Sequence, residues 1–395
     1  MSELHLDSLE ITNFRCFEHL VIEKLGRVNL IVGKNSAGKT ALLEALWLLG
    51  SEGDWSIIQK ILYDRSELVR YKSADSRDDF RADNLETQEQ IEAVRSFFFG
   101  RPPVNHEPTM FYTGTYPTSD GKFSRNAFSF TLASKLNSIS LAIHDSSDHD
   151  VYIHRKNIII DSLIDDLSYN PDNNISKEQI FEPLTIPPLP KKELFEYAVI
   201  GRSKDYKTVF IPLSGLTWKA TCTYWDDLAL TDREEAVISC LQVIEPSIKR
   251  FTFKGENMDN RVRYSVVKTE RFRDPVPLAN LGEGIQRVFA IALAMSTSSN
   301  GYLLIDEIET GLYHRVQPDV WRAVFKLAYE WNVQVFATTH SWDCVEAFQE
   351  AAAEDQNEEA MLIRLQKKRD GTGIVATPYD EESLKIATRQ GIEVR

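Results

Sequence analysis

No window of this sequence approaches the ~18 uninterrupted apolar residues that a membrane-spanning helix requires, so no membrane association is expected. Cysteine is scarce: Cys16, Cys222, Cys240 and Cys344 lie far apart, without a C-x-x-C pair and without a histidine at metal-ligand spacing. That pattern argues against a disulfide scaffold or a zinc ribbon and for buried free thiols in a reducing compartment. Met1 to Asp7 has no basic stretch leading into an apolar one, so no secretory signal is expected and the cytoplasm is the expected location. Positive charge is also in deficit, with 45 Lys and Arg against 59 Asp and Glu and a net charge of -14. Such a surface repels a phosphate polyanion and opposes indiscriminate nucleic-acid binding, while leaving room for a local basic groove. Neither a heptad run nor an internal repeat occurs, which removes long coiled-coil arms and solenoids. What is left is a soluble globular composition, 43% hydrophobic and 26% charged, in 395 residues that are too many for one ordinary core. One large domain or two intertwined domains are expected.

The strongest local signal is Gly33-Lys34-Asn35-Ser36-Ala37-Gly38-Lys39-Thr40, the pattern G-x-x-x-x-G-K-[ST]. It is set between the apolar run Val28 to Val32 and the helical run Ala41 to Leu49. Glycines at the two ends let the backbone wrap so that successive N–H groups face one phosphate chain, and the following helix adds the positive end of its dipole. There Lys39 would bridge the terminal phosphates of a nucleotide, and Thr40 would present its hydroxyl to Mg2+.

Three further stretches suit the same chemistry. Tyr302-Leu-Leu-Ile-Asp306-Glu307 reads as a strand ending in two acids, with Asp306 suited to hydrated Mg2+ and Glu307 to taking a proton from an attacking water. His340 follows the next apolar run, Val333 to Ala337, and lies 33 residues beyond Glu307. That is one strand-helix-strand unit, so His340 should emerge at the same sheet edge as Lys39 and Asp306 and address the γ-phosphate. Leu278 to Arg287 carries Gly282 and Gly284 ahead of the apolar helix Val288 to Met295, a second anion site at a helix N-terminus. A second anion site suits a sandwich in which each copy binds ATP on its own loop and caps its partner's γ-phosphate.

Around these stretches, Leu4 to Ile11 and Leu20 to Ile22 read as strands flanking the turn Asn13 to Phe17, and Asp54 to Phe99 reads as charged and mostly helical. Met110 to His154 alternates with period two, as an antiparallel meander does. Asp161 to Pro190 is an irregular connector by its Asn-Pro, Asp-Asn-Asn and Pro-Pro-Leu-Pro punctuation. Thr231 to Glu234 is a capping box opening a helix that ends near Pro246, and Val316 to Glu330 is long enough for a crossover helix. The expected class is α/β, with a parallel core sheet assembled from residues 1–50 and 254–395. Residues 51–253 form an inserted region with a helical segment and an antiparallel β subdomain.

In order, the phosphate loop, the glycine-bearing helix, the Asp-Glu strand and the histidine resemble the ATP-binding-cassette (ABC) type of P-loop NTPase. Leu9 to Phe17 and Gly33 to Thr40 are similar to the RecF, SMC and OLD (overcoming lysogenization defect) group of AAA ATPases. Ile305-Asp-Glu-Ile-Glu309-Thr-Gly311-Leu312-Tyr-His314 resembles that group's extended acidic motif and dimer-contact loop, and Tyr379 to Arg395 the ending of its short prokaryotic members. The resemblance covers both ends of the chain, whereas Asp54 to Phe253 matches only loosely. It implies ATP and Mg2+ as cofactors, with Gly33 to Thr40 and Asp306 on the nucleotide, Thr40 and Asp306 at the metal, and Glu307 and His340 in catalysis. Gly282 and Gly284 would cap the nucleotide of a second copy in a homodimer or higher homo-oligomer.

Departures qualify that picture. Gly282 stands where transporters of the ABC type usually carry Ser, and Glu283 where they carry Gly, so capping would rest on backbone N–H groups and turnover is expected to be slow. No glutamine-loop residue stands out, with Gln88 to Gln90 as the candidates. Only 55 residues follow His340, too few for the TOPRIM nuclease domain of OLD proteins, so no nuclease is expected in this chain. Short members resemble the ATPase half of two-gene bacterial defence systems such as the phage anti-restriction-induced system, which implies a separate effector, nuclease-like or toxic. Two alternatives stay open: a RecF-like DNA-repair ATPase, and an ATP-dependent scaffold that sequesters a toxin with little hydrolysis. GTPase action is not expected, because no Asn-Lys-x-Asp base-reading motif occurs.

Overall fold

The computed structural model describes residues 4–67, 93, 95–101, 109–114, 127–133, 138–144, 156–159, 201–202, 206–255, 263–354, 359–368, 371 and 373–389. In chain order the N-terminal part contains β1 (Leu9–Phe14), β2 (Phe17–Ile22), β3 (Val28–Val32), α1 (Lys39–Gly50), α2 (Trp55–Asp64), β4 (Thr109–Gly114), β5 (Ala127–Ala133), β6 (Ser138–His144) and β7 (Lys156–Ile159). Then follow β8 (Gly201–Arg202), β9 (Lys207–Ile211), α3 (Trp218–Leu228), α4 (Arg233–Ile244), β10 (Ile248–Lys254), β11 (Tyr264–Thr269), β12 (Val276–Pro277) and α5 (Glu283–Thr297). The chain continues through β13 (Gly301–Ile305), α6 (Gln317–Glu330), β14 (Val333–Thr338), α7 (Trp342–Ala352), β15 (Ala360–Lys367), β16 (Ile374–Tyr379) and α8 (Glu381–Arg389).

The short apolar runs form the middle of a seven-stranded sheet in the order β16-β15-β3-β14-β13-β9-β8. Its five inner strands are parallel, and β16 and β8 close its edges in antiparallel fashion. Both faces are covered, which is why these strands read as continuous hydrophobic runs without alternation. Along β3, Val28, Leu30 and Val32 enter a core shared with α3 to α7, whereas Ile31 enters a second core shared with α1, α2 and the β1–β2 hairpin. Along β13, Leu303 and Ile305 face the first core, and Tyr302 and Leu304 the second. The buried polar residue on β3 is satisfied: the Asn29 amide donates to the carbonyls of Gly26 at 2.7 Å and Val335 at 3.1 Å.

The structure draws the core more widely than 1–50 plus 254–395. β9 lies beside β13 in the central sheet, and α3 and α4 pack into the first core. A five-residue strand is too short for its periodicity to stand out in the sequence; what recruits it is the burial of Val209 and Ile211 between layers. The meander strands β4 to β7 do not stand apart either. They extend the N-terminal hairpin into one antiparallel sheet ordered β2-β1-β4-β5-β6-β7. At the capping box, helix α4 starts at Arg233, with the Leu230 N–H donating to Glu234 Oε2 at 2.7 Å. The connector Asp161 to Pro190 and the Gln88 to Gln90 candidates lie outside the described residues.

Candidate functional site

The central strands bring four segments to one sheet edge. β3 runs into the loop Gly33 to Thr40, β13 into Asp306 and Glu307, β14 into Thr339 and His340, and β9 into Pro212. Two backbone hydrogen bonds align these ends, from the Thr339 N–H to the Ile31 carbonyl at 3.1 Å and from the Asp306 N–H to the Ile211 carbonyl at 2.9 Å. The strand beside β13 therefore leads into Pro212-Leu213-Ser214, with no glutamine at that strand end.

Within the loop, Ala37 is buried while Lys34, Asn35 and Ser36 face outward. Gly38 caps α1 at φ 93°, and a Cβ there would stand 2.7 Å from Phe17 Cζ and 2.8 Å from Cys16 Sγ, so only glycine fits. The tight turn that carries Cys16 is itself anchored: Arg15 donates to both Glu67 carboxylate oxygens, at 2.8 and 2.7 Å. Lys39 Nζ donates to the Gly33 carbonyl at 2.8 Å, which folds the ammonium over the loop. Burial pushes this ammonium below its ordinary range, while the carboxylates of Glu307, Asp306 and Glu309 act to hold it up. A partly desolvated cation above a turn of N–H groups is suited to an incoming polyanion.

Opposite the loop, Asp306 accepts hydrogen bonds from Thr40 Oγ1 at 3.2 Å and from Thr338 Oγ1 at 2.7 Å. The Thr338 hydroxyl has a second task, accepting the Glu307 N–H at 2.9 Å. Glu307 sits at φ 47°, a left-handed conformation that a non-glycine residue adopts only when its surroundings enforce it. His340 Nδ1 lies 3.4 Å from a carboxylate oxygen of Glu307 and 3.4 Å from one of Glu309, with the ring 57% exposed. Lys39, Thr40, Asp306, Glu307 and His340 are thus brought together.

Gly282 and Gly284 are held elsewhere. Gly282 caps α5 at φ 105°, and the three atoms nearest a Cβ on Gly284 all belong to Gly311 and Leu312. One turn along the same helix, Arg287 reaches the site edge: it donates to the carbonyls of Asp306 at 2.6 Å, Glu307 at 2.9 Å and Pro212 at 3.3 Å. Burial lowers the pKa of this guanidinium against the opposing pull of Glu309, Asp306 and Glu307. A cleft of 450 Å³ runs alongside, lined by Leu213, Trp218, Glu283, Gln286 and Thr310 among others. Arg287, Thr338 and Glu309 escaped sequence reasoning. Arg287 and Glu309 lie inside recognisable motifs without a role assigned to them, and Thr338 acts through contacts that no spacing encodes.

Thr40 Oγ1 and Asp306 Oδ2 converge to 3.2 Å, one neutral oxygen and one anionic. Mg2+ takes this kind of set from a protein when water and phosphate oxygens supply the rest. Among the described residues no group of three His, Cys, Asp or Glu side chains is arranged to hold a metal by itself. The residues fit an ion that arrives with a nucleotide.

A phosphate loop on one strand of a parallel sheet, faced by acids and a histidine from neighbouring strands, defines a P-loop NTPase of the ABC type. Family comparison agrees. A model described as "AAA ATPase domain" matches residues 5–195, and one described as "AAA domain, putative AbiEii toxin, Type IV TA system" matches residues 231–343. The chain is 22% identical to an ATP/GTP phosphatase of Helicobacter pylori over 399 residues, covering 96% of this chain and 97% of that protein. A DNA replication and repair protein RecF of Nitrosococcus oceani is 40% identical over 58 residues, which are 15% of this chain and 16% of RecF. Among solved structures, an SMC head bound to the C-winged helix domain of ScpA aligns with a TM-score of 0.49 at 13% identity, covering 96% of this chain and 99% of that one. Both family models describe AAA domains, and together they support an ABC/AAA-type ATPase. Among the described residues no helix is long and apolar enough to cross a membrane.

Proposed function

We propose that this chain binds ATP with Mg2+, hydrolyses it in a site completed by a second copy, and through that cycle controls a separate effector protein in anti-phage defence. The observation that carries the hydrolytic part is the convergence of Lys39, Thr40, Asp306, Glu307 and His340 at the ends of three adjacent parallel strands. The loop N–H groups and Lys39 hold the phosphates. Thr40 and Asp306 hold Mg2+, which neutralises charge on the phosphates when bound. Glu307, whose side chain is 30% exposed, takes the proton of the attacking water, and the open ring of His340 turns toward the γ-phosphate. Gly284 lies against Gly311 and Leu312 while the space beside Gly282 is open, and their helix N-terminus serves the nucleotide of a partner.

The name of the Helicobacter pylori relative supports nucleotide hydrolysis. The toxin-antitoxin wording of the second family description supports a place in a toxin-antitoxin type of system and assigns no separate effector. A RecF-like repair role draws on the local RecF match and is opposed by the net charge of -14. The deciding experiment is Glu307→Gln. It should lower ATP turnover by about 10²-fold or more while ATP binding persists and dimers accumulate in ATP. Wild-type turnover in that variant would remove Glu307 as the base, dimers trapped without any wild-type turnover would favour the scaffold, and a salt-sensitive acceleration by DNA would favour repair.

A further inference from the structure

Glu309 is unusual among the acids at this edge. Its side chain is only 10% exposed, against 30% for Glu307. One oxygen, Oε1, accepts the backbone N–H of His340 at 3.2 Å and also lies 3.4 Å from the ring nitrogen Nδ1. The other, Oε2, is buried with no hydrogen-bond partner, an expensive state for a carboxylate oxygen that is kept only where the surroundings hold the group in place. Glu307 Oε1 lies at the same 3.4 Å from Nδ1 but has no tie to the histidine backbone. Two carboxylates thus compete for one imidazole nitrogen, and only one of them is fastened to the residue that carries it. The competition matters because a base bound to an imidazole N–H is a weaker acceptor for water's proton.

Resting on the assignment of Glu307 as base and His340 as the phosphate-facing ring, we propose that Glu309 is a positioning residue for hydrolysis. It fastens His340 through the backbone N–H and takes the Nδ1 side of the ring, so that Nε2 faces the nucleotide and Glu307 is left free to receive a proton. A carboxylate accepts but cannot donate, so Glu309 selects the ring form with hydrogen on Nδ1. Glu309 also joins Asp306 and Glu307 among the carboxylates that act on Lys39 and Arg287, which places it inside the charge balance of the site.

The test uses the full chain with Glu309→Ala, Glu309→Gln, His340→Ala and the double variant Glu309→Ala/His340→Ala. Steady-state turnover of Mg-ATP is measured together with amide hydrogen exchange at His340 in protein without nucleotide. Glu309→Ala should lower kcat by about tenfold or more with KM for ATP changed by less than about threefold, as expected for a group that acts in the transition state. Glu309→Gln keeps an oxygen for the His340 N–H but not the charge, so it should fall between wild type and Ala in kcat while leaving His340 exchange slow. Exchange should accelerate in Glu309→Ala. The double variant should be no slower than His340→Ala alone, because the two residues act as one unit. Wild-type kcat in both Glu309 variants, or a double variant that loses the product of the two single effects, would overturn the inference. If the wild-type chain itself turns over no ATP, the hydrolytic assignment fails and takes the inference with it, an outcome distinct from active protein insensitive to Glu309.

Discussion

Thr338→Val is the sharpest probe of how the two acids are held. Thr338 is fully buried, and its single hydroxyl donates to Asp306 Oδ1 at 2.7 Å while accepting the Glu307 N–H at 2.9 Å. Valine fills nearly the same volume but leaves both groups without this partner in a partly buried setting. A neutral N–H···O bond contributes about 0.5–1.5 kcal/mol and one to a charged group about 1.5–3, so the change should cost about 2–4 kcal/mol of stability. Nor does the damage stop at stability. Without the N–H acceptor the φ 47° conformation of Glu307 loses one of its restraints, and without the hydroxyl donor Asp306 can swing off the Thr40 side. Displacement of either acid by about 1 Å is enough to reduce kcat about 10²-fold. Thr338→Ser retains the hydroxyl and gives up only a buried methyl, about 1 kcal/mol. Thermal unfolding and ATPase assays of the two variants should therefore separate widely, with Ser near wild type in kcat and Val far below. Equal behaviour of Val and Ser in both assays would refute the double role of the hydroxyl.

Arg287→Met should destabilise the chain by about 3 kcal/mol, since it removes three charge-assisted bonds, to the partly buried carbonyls of Pro212, Asp306 and Glu307. Arg287→Lys should not restore the wild-type melting temperature, because an ammonium cannot reproduce the planar fork; a Met variant that melts with wild type would contradict this. Thiol reactivity should follow burial. Burial pushes Cys240 up to about 11 and Cys344 up to about 12, so at pH 8 both remain neutral thiols and resist alkylation in folded protein. Cys16 is half-buried, with its thiol also raised chiefly by burial, so its labelling should climb steadily as pH rises toward and beyond the ordinary thiol range. Peptide mapping after iodoacetamide treatment checks the order, and prior labelling of Cys240 or Cys344 would contradict it.

Much of this architecture could be read before any coordinates, for identifiable reasons. The loop Gly33 to Thr40 is contiguous, and its φ-permissive glycine, its lysine and its helix start all lie within one turn of chain. Val28 to Val32 is legible as a strand because both of its faces are buried, which leaves a short run with Asn29 as its one polar residue. Asp306, Glu307 and His340 were placed at one edge because parallel strands joined by a helix deliver their ends to the same side. Strand β9 escaped notice because its place is set by pairing with β13, close to one hundred residues away in sequence, and no local period announces such a pairing. The same holds for the union of the β4 to β7 meander with β1.

The sequence alone determined which chemistry the chain is equipped for, because phosphate binding and metal ligation demand particular atoms at short spacing: backbone N–H groups after a glycine, an ammonium, a hydroxyl, a carboxylate at a strand end. Only the tertiary structure decided how those atoms are aimed. Thr338 bridges the two acids, Arg287 ties the glycine-bearing helix to their carbonyls, and Glu309 grips the histidine, and each of these contacts depends on distances between side chains brought together by burial. It also decided that Gly284 rests against Gly311 and Leu312, because helix α5 is pinned by its own core and by Arg287.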